Sequence, residues 1–247
     1  PASQSVIASI DWVTALLFLS VMAAMIVPIA LSTAAVITPE TGKDTTLNIH
    51  DALLEAWNHN GFRLLTTGFF VCGFHVAFLA IHLPAYVHDR CSVPGLGATA
   101  LMLIAFFNMI GAWSSGWLAG RYSKKYLLSS IYTARAAVMT AFVMIPTTGT
   151  TVIVFACLIG LLWLSTVPAT SGLVSQIFGL RYMGMLYGIV FLSHQLGAFL
   201  GVWLGGRVFD ATGSYNAVWW VAIALGIASA LIHLPINEKP VARLVTP

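Results

Sequence analysis

The sequence predicts an all-α membrane protein with about seven transmembrane helices. Of its 247 residues, 59% are hydrophobic and only 8% are charged, whereas about a quarter of the residues in a soluble domain are charged. Seven apolar runs each approach the roughly 20 residues that a helix needs to cross a bilayer. The runs are long and continuous rather than short and alternating, which favours helices over a barrel.

The apolar runs define the predicted spans in chain order. We place them at about 7–31, 62–88, 96–119, 126–146, 151–177, 184–207 and 215–235. Pro28 predicts a bend near the inner end of the first span, the second is expected to end near Pro84, and the fifth contains Pro168 and Gly172. Such breaks mark either mobile helices that line a pathway or plain packing kinks, since neighbouring groups can satisfy the freed backbone.

One long polar stretch follows the first span. It contains several charged residues and turn signals, and Asp51–Trp57 has the pattern of a short amphipathic helix at the membrane surface. We therefore divide the chain into one transmembrane helix at 1–37, a central loop at 38–61, a six-helix bundle at 62–236 and a tail at 237–247.

Lysine and arginine distribute unevenly between the two sides that alternate loops define. One side holds eight of the 11 cations, namely Lys43, Arg63, Arg121, Lys124, Lys125, Arg181, Lys239 and Arg243. The other side holds Arg90 and Arg207. The positive-inside rule therefore predicts a cell (inner) membrane protein whose central loop, Arg121 loop and C-terminus are cytoplasmic. Because these cations separate apolar runs instead of forming one basic face, we expect no nucleic-acid partner.

Several uncharged polar side chains fall within the predicted spans. His75 and His82 are two helical turns apart and share a face. Polar groups are costly in hydrocarbon, so a set of them predicts a polar substrate pathway, although each alone could simply form an interhelical hydrogen bond. The set comprises His75, His82, Asn108, Thr166, Ser171, His194 and Gln195.

Arg135 is the one full charge well inside a predicted span. Inserting an arginine at the centre of a transmembrane helix costs roughly 2.5–3.5 kcal/mol on the translocon scale. It could pair with an anionic substrate, extend towards the cytoplasmic face, or cap backbone carbonyls of a neighbouring helix. Of these, we favour a structural role.

Small residues predict a close helix contact in the sixth span. Gly197, Gly201 and Gly205 repeat at every fourth position. This spacing lets two helix backbones approach each other in lipid, and we interpret it as a packing seam.

The sequence lacks the usual signatures of an enzyme. It contains no Gly-x-Ser-x-Gly, His-Glu-x-x-His or phosphate-binding loop, and no acidic residue lies between Asp89 and Asp210. We expect no enzyme activity, cofactor or metal. Two alternatives to a transporter stay open, a membrane-embedded serine hydrolase using Ser171 and His194, and a non-transporting helical scaffold.

The loop between the third and fourth spans carries a known pattern. Gly116-x-Leu118-Ala119-Gly120-Arg121-x-Ser123-Lys124-Lys125-x-x-Leu128 resembles the signature Gly-x-Leu-Ala-Asp-Arg-x-Gly-Arg-Lys-x-x-Leu of the major facilitator superfamily. In that family the signature lies in a cytoplasmic loop and contributes to the gate. The resemblance thus marks Gly116, Gly120, Arg121, Lys124 and Lys125 as gate residues. Gly120 and Ser123 depart from it, and Gly120 removes the acid to which a gating ion pair is attributed.

The resemblance extends over nearly the whole chain. Residues 72–86 look like the seventh helix of bacterial members near the monocarboxylate and oxalate/formate transporters, and 187–215 look like the eleventh helix and the following loop. It implies a C-terminal six-helix half preceded by the sixth of twelve helices, with five N-terminal helices missing as partners. It also implies alternating-access transport of a small solute in a lipid bilayer. Arg135 would lie on an outer helix, away from the solute.

Overall fold

The computed structural model describes residues 12–28, 47–91 and 93–244. It divides into two units, Pro1–Thr46 and Leu47–Pro247. In the first unit, helix α1 spans Trp12–Ala24. Most of the rest of the predicted first span lies outside the described residues. The predicted boundary between residues 37 and 38 also lies outside them.

The second unit consists of helices in its described residues. They are α2 Ile49–Asn58, α3 Asn60–Arg90, α4 Leu96–Ala119, α5 Lys124–Met144, α6 Gly149–Leu162, α7 Thr166–Phe178, α8 Met183–Thr212 and α9 Asn216–His233, with a short 3₁₀ turn at Ala242–Leu244. Within the part of the chain that the structure describes, six segments are long and apolar enough to cross a membrane when α6 and α7 count as one, Gly149–Phe178. The predicted all-α membrane fold is confirmed.

The two prolines singled out in the sequence have different effects. The prediction that the second span ends near Pro84 is wrong, because α3 continues through Pro84 to Arg90. A proline inside a transmembrane helix is tolerated where neighbouring helices pack against it. Here Gly97 lets the backbone of α4 lie close to Pro84. Pro168 instead lies in the first turn of α7, after a break at residues 163–165. Proline lacks an N–H and its ring clashes with the carbonyl four residues earlier, which is Leu164.

Helix α3 forms the centre of the bundle. It packs most extensively against α8 and also contacts α9, α4 and α7, while α4 pairs with α6 and α5 pairs with α9. Its two ends contribute to separate apolar clusters. Phe78 and Tyr86 pack with Trp219 in one cluster, and Phe62 and Phe69 pack in the other.

Glycines make the α3–α8 contact unusually close. A Cβ atom at Gly197 would overlap the Phe70 carbonyl oxygen, and one at Gly201 would lie 2.5 Å from the Phe74 carbonyl oxygen. In α3, Gly73 faces the His194 backbone in the same way. The third seam residue, Gly205, makes room for the His82 ring. The backbones therefore meet without intervening side chains, as small residues allow in membrane bundles.

Three chain segments predicted to be cytoplasmic meet at one end of the second unit. The predicted amphipathic helix is present as α2, where the Asn48 side chain accepts a 2.9 Å hydrogen bond from the Asp51 amide. Glu55 of α2 forms a 2.9 Å ion pair with Arg243 near the C-terminus. The Tyr182 hydroxyl, in the loop before α8, donates to the Leu47 carbonyl at 2.6 Å.

Substituting Gly197→Ala is expected to destabilise the intact protein by about 2 kcal/mol, because overpacking a close contact typically costs 1–3 kcal/mol. Gly206→Ala, on the same helix, is the matched control, since a Cβ there meets no atom within 4 Å. Thermal unfolding in detergent measures both. Equal unfolding temperatures for the two variants would contradict the close-contact interpretation.

Candidate functional site

The candidate site is built around the break between α6 and α7. Helix α6 ends at Leu162 and α7 starts at Thr166, which frees backbone groups inside a membrane span. On one side, Arg135 of α5 donates from Nε to the Leu162 carbonyl at 2.9 Å and from Nη2 to the Leu162 and Trp163 carbonyls. The fork of the guanidinium suits two adjacent acceptors.

Side chains of helix α4 form hydrogen bonds with the free backbone groups of the break from the other side. The Leu164 amide donates to Asn108 Oδ1 at 2.9 Å, and the Ser115 hydroxyl donates to the Ser165 carbonyl. A Cβ at Gly111 would overlap the Leu161 carbonyl oxygen, so α4 lies directly against this backbone. Side chains from two helices thus take over hydrogen bonds that a continuous helix would have made internally.

Arg135 itself is deeply buried, with 1% of its surface exposed. Besides the two carbonyls, its guanidinium lies 3.5 Å from the Cys72 sulfur and 5.5 Å from the Tyr132 ring centroid. A cation at the C-terminal end of α6 is also favoured by the helix dipole. Of the alternatives open at the sequence level, this geometry matches the capping of a neighbouring helix.

Four buried side chains meet at Cys72 and form what we call the central polar cluster, which comprises Cys72, Arg135, Thr166 and His194. The Cys72 sulfur and the Thr166 hydroxyl oxygen are 3.1 Å apart, and both residues are fully buried. Sequence reasoning assigned no role to Cys72, because a cysteine in an apolar run looks like any small apolar residue. The only signal was its position in the same span as His75.

The two ring nitrogens of His194 have different surroundings in this cluster. Its Nδ1 lies 3.1 Å from Gln195 Oε1, and because an amide oxygen only accepts, Nδ1 carries the hydrogen of the neutral ring. Nε2 is buried, and the ring interacts with the neighbouring Cys72 thiol of α3. The ring stacks on Phe191 with centroids 5.1 Å apart. With the hydrogen on Nδ1, Nε2 is the acceptor of the ring, and the Cys72 thiol is the neighbouring donor.

The other predicted pathway residues are placed elsewhere. His75 Nε2 lies 2.8 Å from the Ala222 carbonyl oxygen of α9, whereas His82 Nε2 lies 3.0 Å from that of Val202 in α8. The two histidines share a face of α3 but bind different helices, and their contact with a solute stays a prediction. The Ser171 hydroxyl donates to the Pro168 carbonyl at 3.2 Å in its own helix.

The hydrogen-bond partners of Ser171 and His194 do not match those of a serine hydrolase. A serine nucleophile requires a base within hydrogen-bond reach. Ser171 instead donates to the Pro168 carbonyl, and His194 interacts with Gln195 and Cys72. Among the described residues there is also no group of three or more His, Cys, Asp or Glu side chains suited to a metal ion.

The predicted gate residues lie at the end of the bundle where α2 and the C-terminal segment meet. Arg121 stacks over the Trp117 ring, 3.8 Å from its centroid, and the Lys124 amine donates to Gln176 Oε1 at 2.7 Å. Gly120 has an ordinary right-handed backbone with φ of −75°. The loop therefore contacts α7 through a lysine, and its geometry does not require glycine at position 120.

The fold and this site define a multi-pass membrane bundle of the kind found in transporters, with a discontinuous helix enclosing buried polar groups. The sequence model of the Major Facilitator Superfamily matches residues 1–202. The chain belongs to this superfamily.

The similar proteins carry transporter names. The chain is 29% identical over 189 residues to the uncharacterized MFS-type transporter YcxA of Bacillus subtilis, covering 73% of the chain and 45% of that protein. It is 25% identical to monocarboxylate transporter 13 of Rattus norvegicus and 24% identical to that of Bos taurus, each over 95% of the chain and 55% of the relative. The chain thus spans about half the length of these relatives. The comparisons support a transporter and do not favour the hydrolase.

Replacing Arg135 with Met is expected to destabilise the intact protein by about 3 kcal/mol, because it leaves buried polar groups without their charged partner. Arg135→Lys should cost less, since an ammonium keeps the charge but cannot fork between two carbonyls. Chemical denaturation in detergent measures both, with the exposed cation Arg207→Met as the control. Similar stability of Arg135→Met and Arg207→Met would contradict the capping role.

Proposed function

We propose that the chain forms part of a secondary transporter that moves a small solute across the membrane by alternating access. Its membership of the Major Facilitator Superfamily supports this function, as do six membrane-length helices in one unit. In such transporters the two halves rock about a site near the middle of the membrane.

The broken fifth span is the observation that carries the proposal. Irregular backbone at membrane depth is tolerated only where protein buries it or where it lines a water-filled cavity. Here Arg135 and Asn108 stabilise the break, and Thr166 and His194 lie beside it. We propose His194 and Gln195 as direct solute contacts, with Thr166, Asn108, Ser171, His75 and His82 as the wider pathway.

We favour a small organic anion as the solute class. The spans carry a buried arginine and several buried histidines, whereas no acidic residue occurs between Asp89 and Asp210. This excess of buried cationic and neutral donors makes the interior more favourable for an anion than for a cation. Two of the similar proteins are named monocarboxylate transporters, which agrees with this choice.

We further propose a cell (inner) membrane location with the central loop, the Arg121 loop and the C-terminus in the cytoplasm. The excess of lysine and arginine in these segments supports the orientation, and their described parts meet at one end of the bundle. The partners of this half would be N-terminal helices of the same transporter. A 247-residue chain reconstituted alone is therefore expected not to transport.

Replacing His194 with Ala should lower uptake of a small organic anion about tenfold, because a hydrogen bond to a charged group typically contributes 1.5–3 kcal/mol. Radiolabelled lactate and oxalate uptake by the intact protein in proteoliposomes measures this. His88→Ala is the matched control, since the His88 side chain is exposed and lies in the last turn of α3.

Two results would contradict the proposal. Wild-type uptake by the His194→Ala variant would remove the central polar cluster from the solute pathway. Uptake by the 247-residue chain with no other protein present would overturn the proposal that it is one half of the transporter.

A further inference from the structure

The N-terminus of α5 is capped from the far end of the chain. Its own N-cap residue, Ser123, makes no side-chain capping hydrogen bond, although serine is among the preferred capping residues. The Glu238 carboxylate, five residues beyond α9, instead accepts a 2.7 Å hydrogen bond from the Lys125 amide. A carboxylate at this position satisfies a free amide and interacts favourably with the helix dipole.

Glu238 is also linked to the gate loop through Gln176 of α7. The Gln176 amide nitrogen donates to the Glu238 carbonyl at 2.9 Å, while its oxygen accepts the Lys124 amine at 2.7 Å. A Cβ at Gly172 would lie 3.0 Å from Lys124 Cε, so the lysine stem rests directly on α7. Glu238, Gln176 and the two lysines thus form a closed set of hydrogen bonds joining α5 to α7.

The following residues extend this contact to α2. The Val241 amide donates to the Ile177 carbonyl at 2.9 Å. Arg243 then binds the Phe178 carbonyl at 2.6 Å and Glu55 of α2 at 2.9 Å. We call residues 238–243 the C-terminal strap, because they connect α5, α7 and α2 at one end of the bundle.

We propose that Glu238 is a positioning residue for the gate loop, supplying from the C-terminal strap the carboxylate that the loop lacks at Gly120. The acid is not lost from this region but comes from a distant part of the chain. Its target is the backbone at the start of α5, so the strap holds Lys124, Lys125 and α7 as one unit. The effect of this on transport rests on the proposed alternating-access function, whereas the contact itself does not.

Hydrogen exchange tests the contact without a transport assay. In the intact wild-type protein in detergent, the Lys125 and Val241 amides should be protected. Glu238→Ala should speed exchange of peptides covering 123–128 and 240–244 about fivefold, the factor that corresponds to the typical loss of a helix cap. Lys239→Ala is the matched control, because Lys239 is adjacent and exposed, and unchanged exchange in α3 would show that the variants fold. Exchange of the 123–128 peptide at the wild-type rate in Glu238→Ala would overturn the proposal.

Uptake by the same variants tests the positioning role. Glu238→Ala should slow lactate or oxalate uptake severalfold with little change in the concentration for half-maximal uptake, because the residue is remote from the central polar cluster. Glu238→Gln should lie between Glu238→Ala and wild type, since its amide oxygen still accepts the Lys125 hydrogen bond without the charge. If Glu238→Ala exchanges faster but takes up solute at the wild-type rate, the hydrogen bond from Glu238 to α5 is supported and the positioning role in transport is overturned. Absence of uptake by the wild-type full-length transporter, with its N-terminal helices present, would instead count against the proposed function, while the exchange result would still decide the contact.

Discussion

The bundle depends on one constraint: the free backbone groups at the break between α6 and α7 must form hydrogen bonds. Hydrocarbon offers no hydrogen bonds, so each free carbonyl or amide there costs several kcal/mol. Arg135 supplies donors to the Leu162 and Trp163 carbonyls, and Asn108 accepts from the Leu164 amide. This requirement accounts for a buried arginine, and it determines how α4 and α5 must lie around the broken helix.

Much of the architecture could be predicted because it follows from local composition. The six described spans begin and end within a few residues of the ranges assigned to them, except at the C-terminal end of α8 and for the end of α3 expected near Pro84, since apolar length is the dominant signal in a membrane protein. The glycine spacing in α8 likewise pointed to a close helix contact. The family resemblance came from the loop pattern at 116–128 and from residues 72–86 and 187–215, where residue identities mattered more than hydropathy, and the family model over residues 1–202 confirms it.

The partners of individual polar side chains could not be predicted. His75 and His82 have the same helical phase, yet they bond to α9 and α8 because of how those helices lie around α3. The pairing of Cys72 with Thr166 joins residues 94 positions apart. The break falls upstream of Pro168 because the ring acts on the carbonyl four residues earlier. The side-chain pairings depend on long-range packing, of which periodicity and composition carry no record, whereas the break follows from a local effect of Pro168.

Arg135 and Glu238 use the same physical device at two depths of the bundle. Each charge binds backbone groups at a helix end rather than an opposite charge, Arg135 at the C-terminal end of α6 and Glu238 at the N-terminal end of α5. Arg135 and the Lys125 amide both belong to α5. Helix α5 is therefore joined to the broken span both at the break and near the end of α7, where Lys124 binds Gln176. A displacement of α7 that kept these hydrogen bonds would have to carry α5 with it, so α5 would move with the helix that bears Thr166.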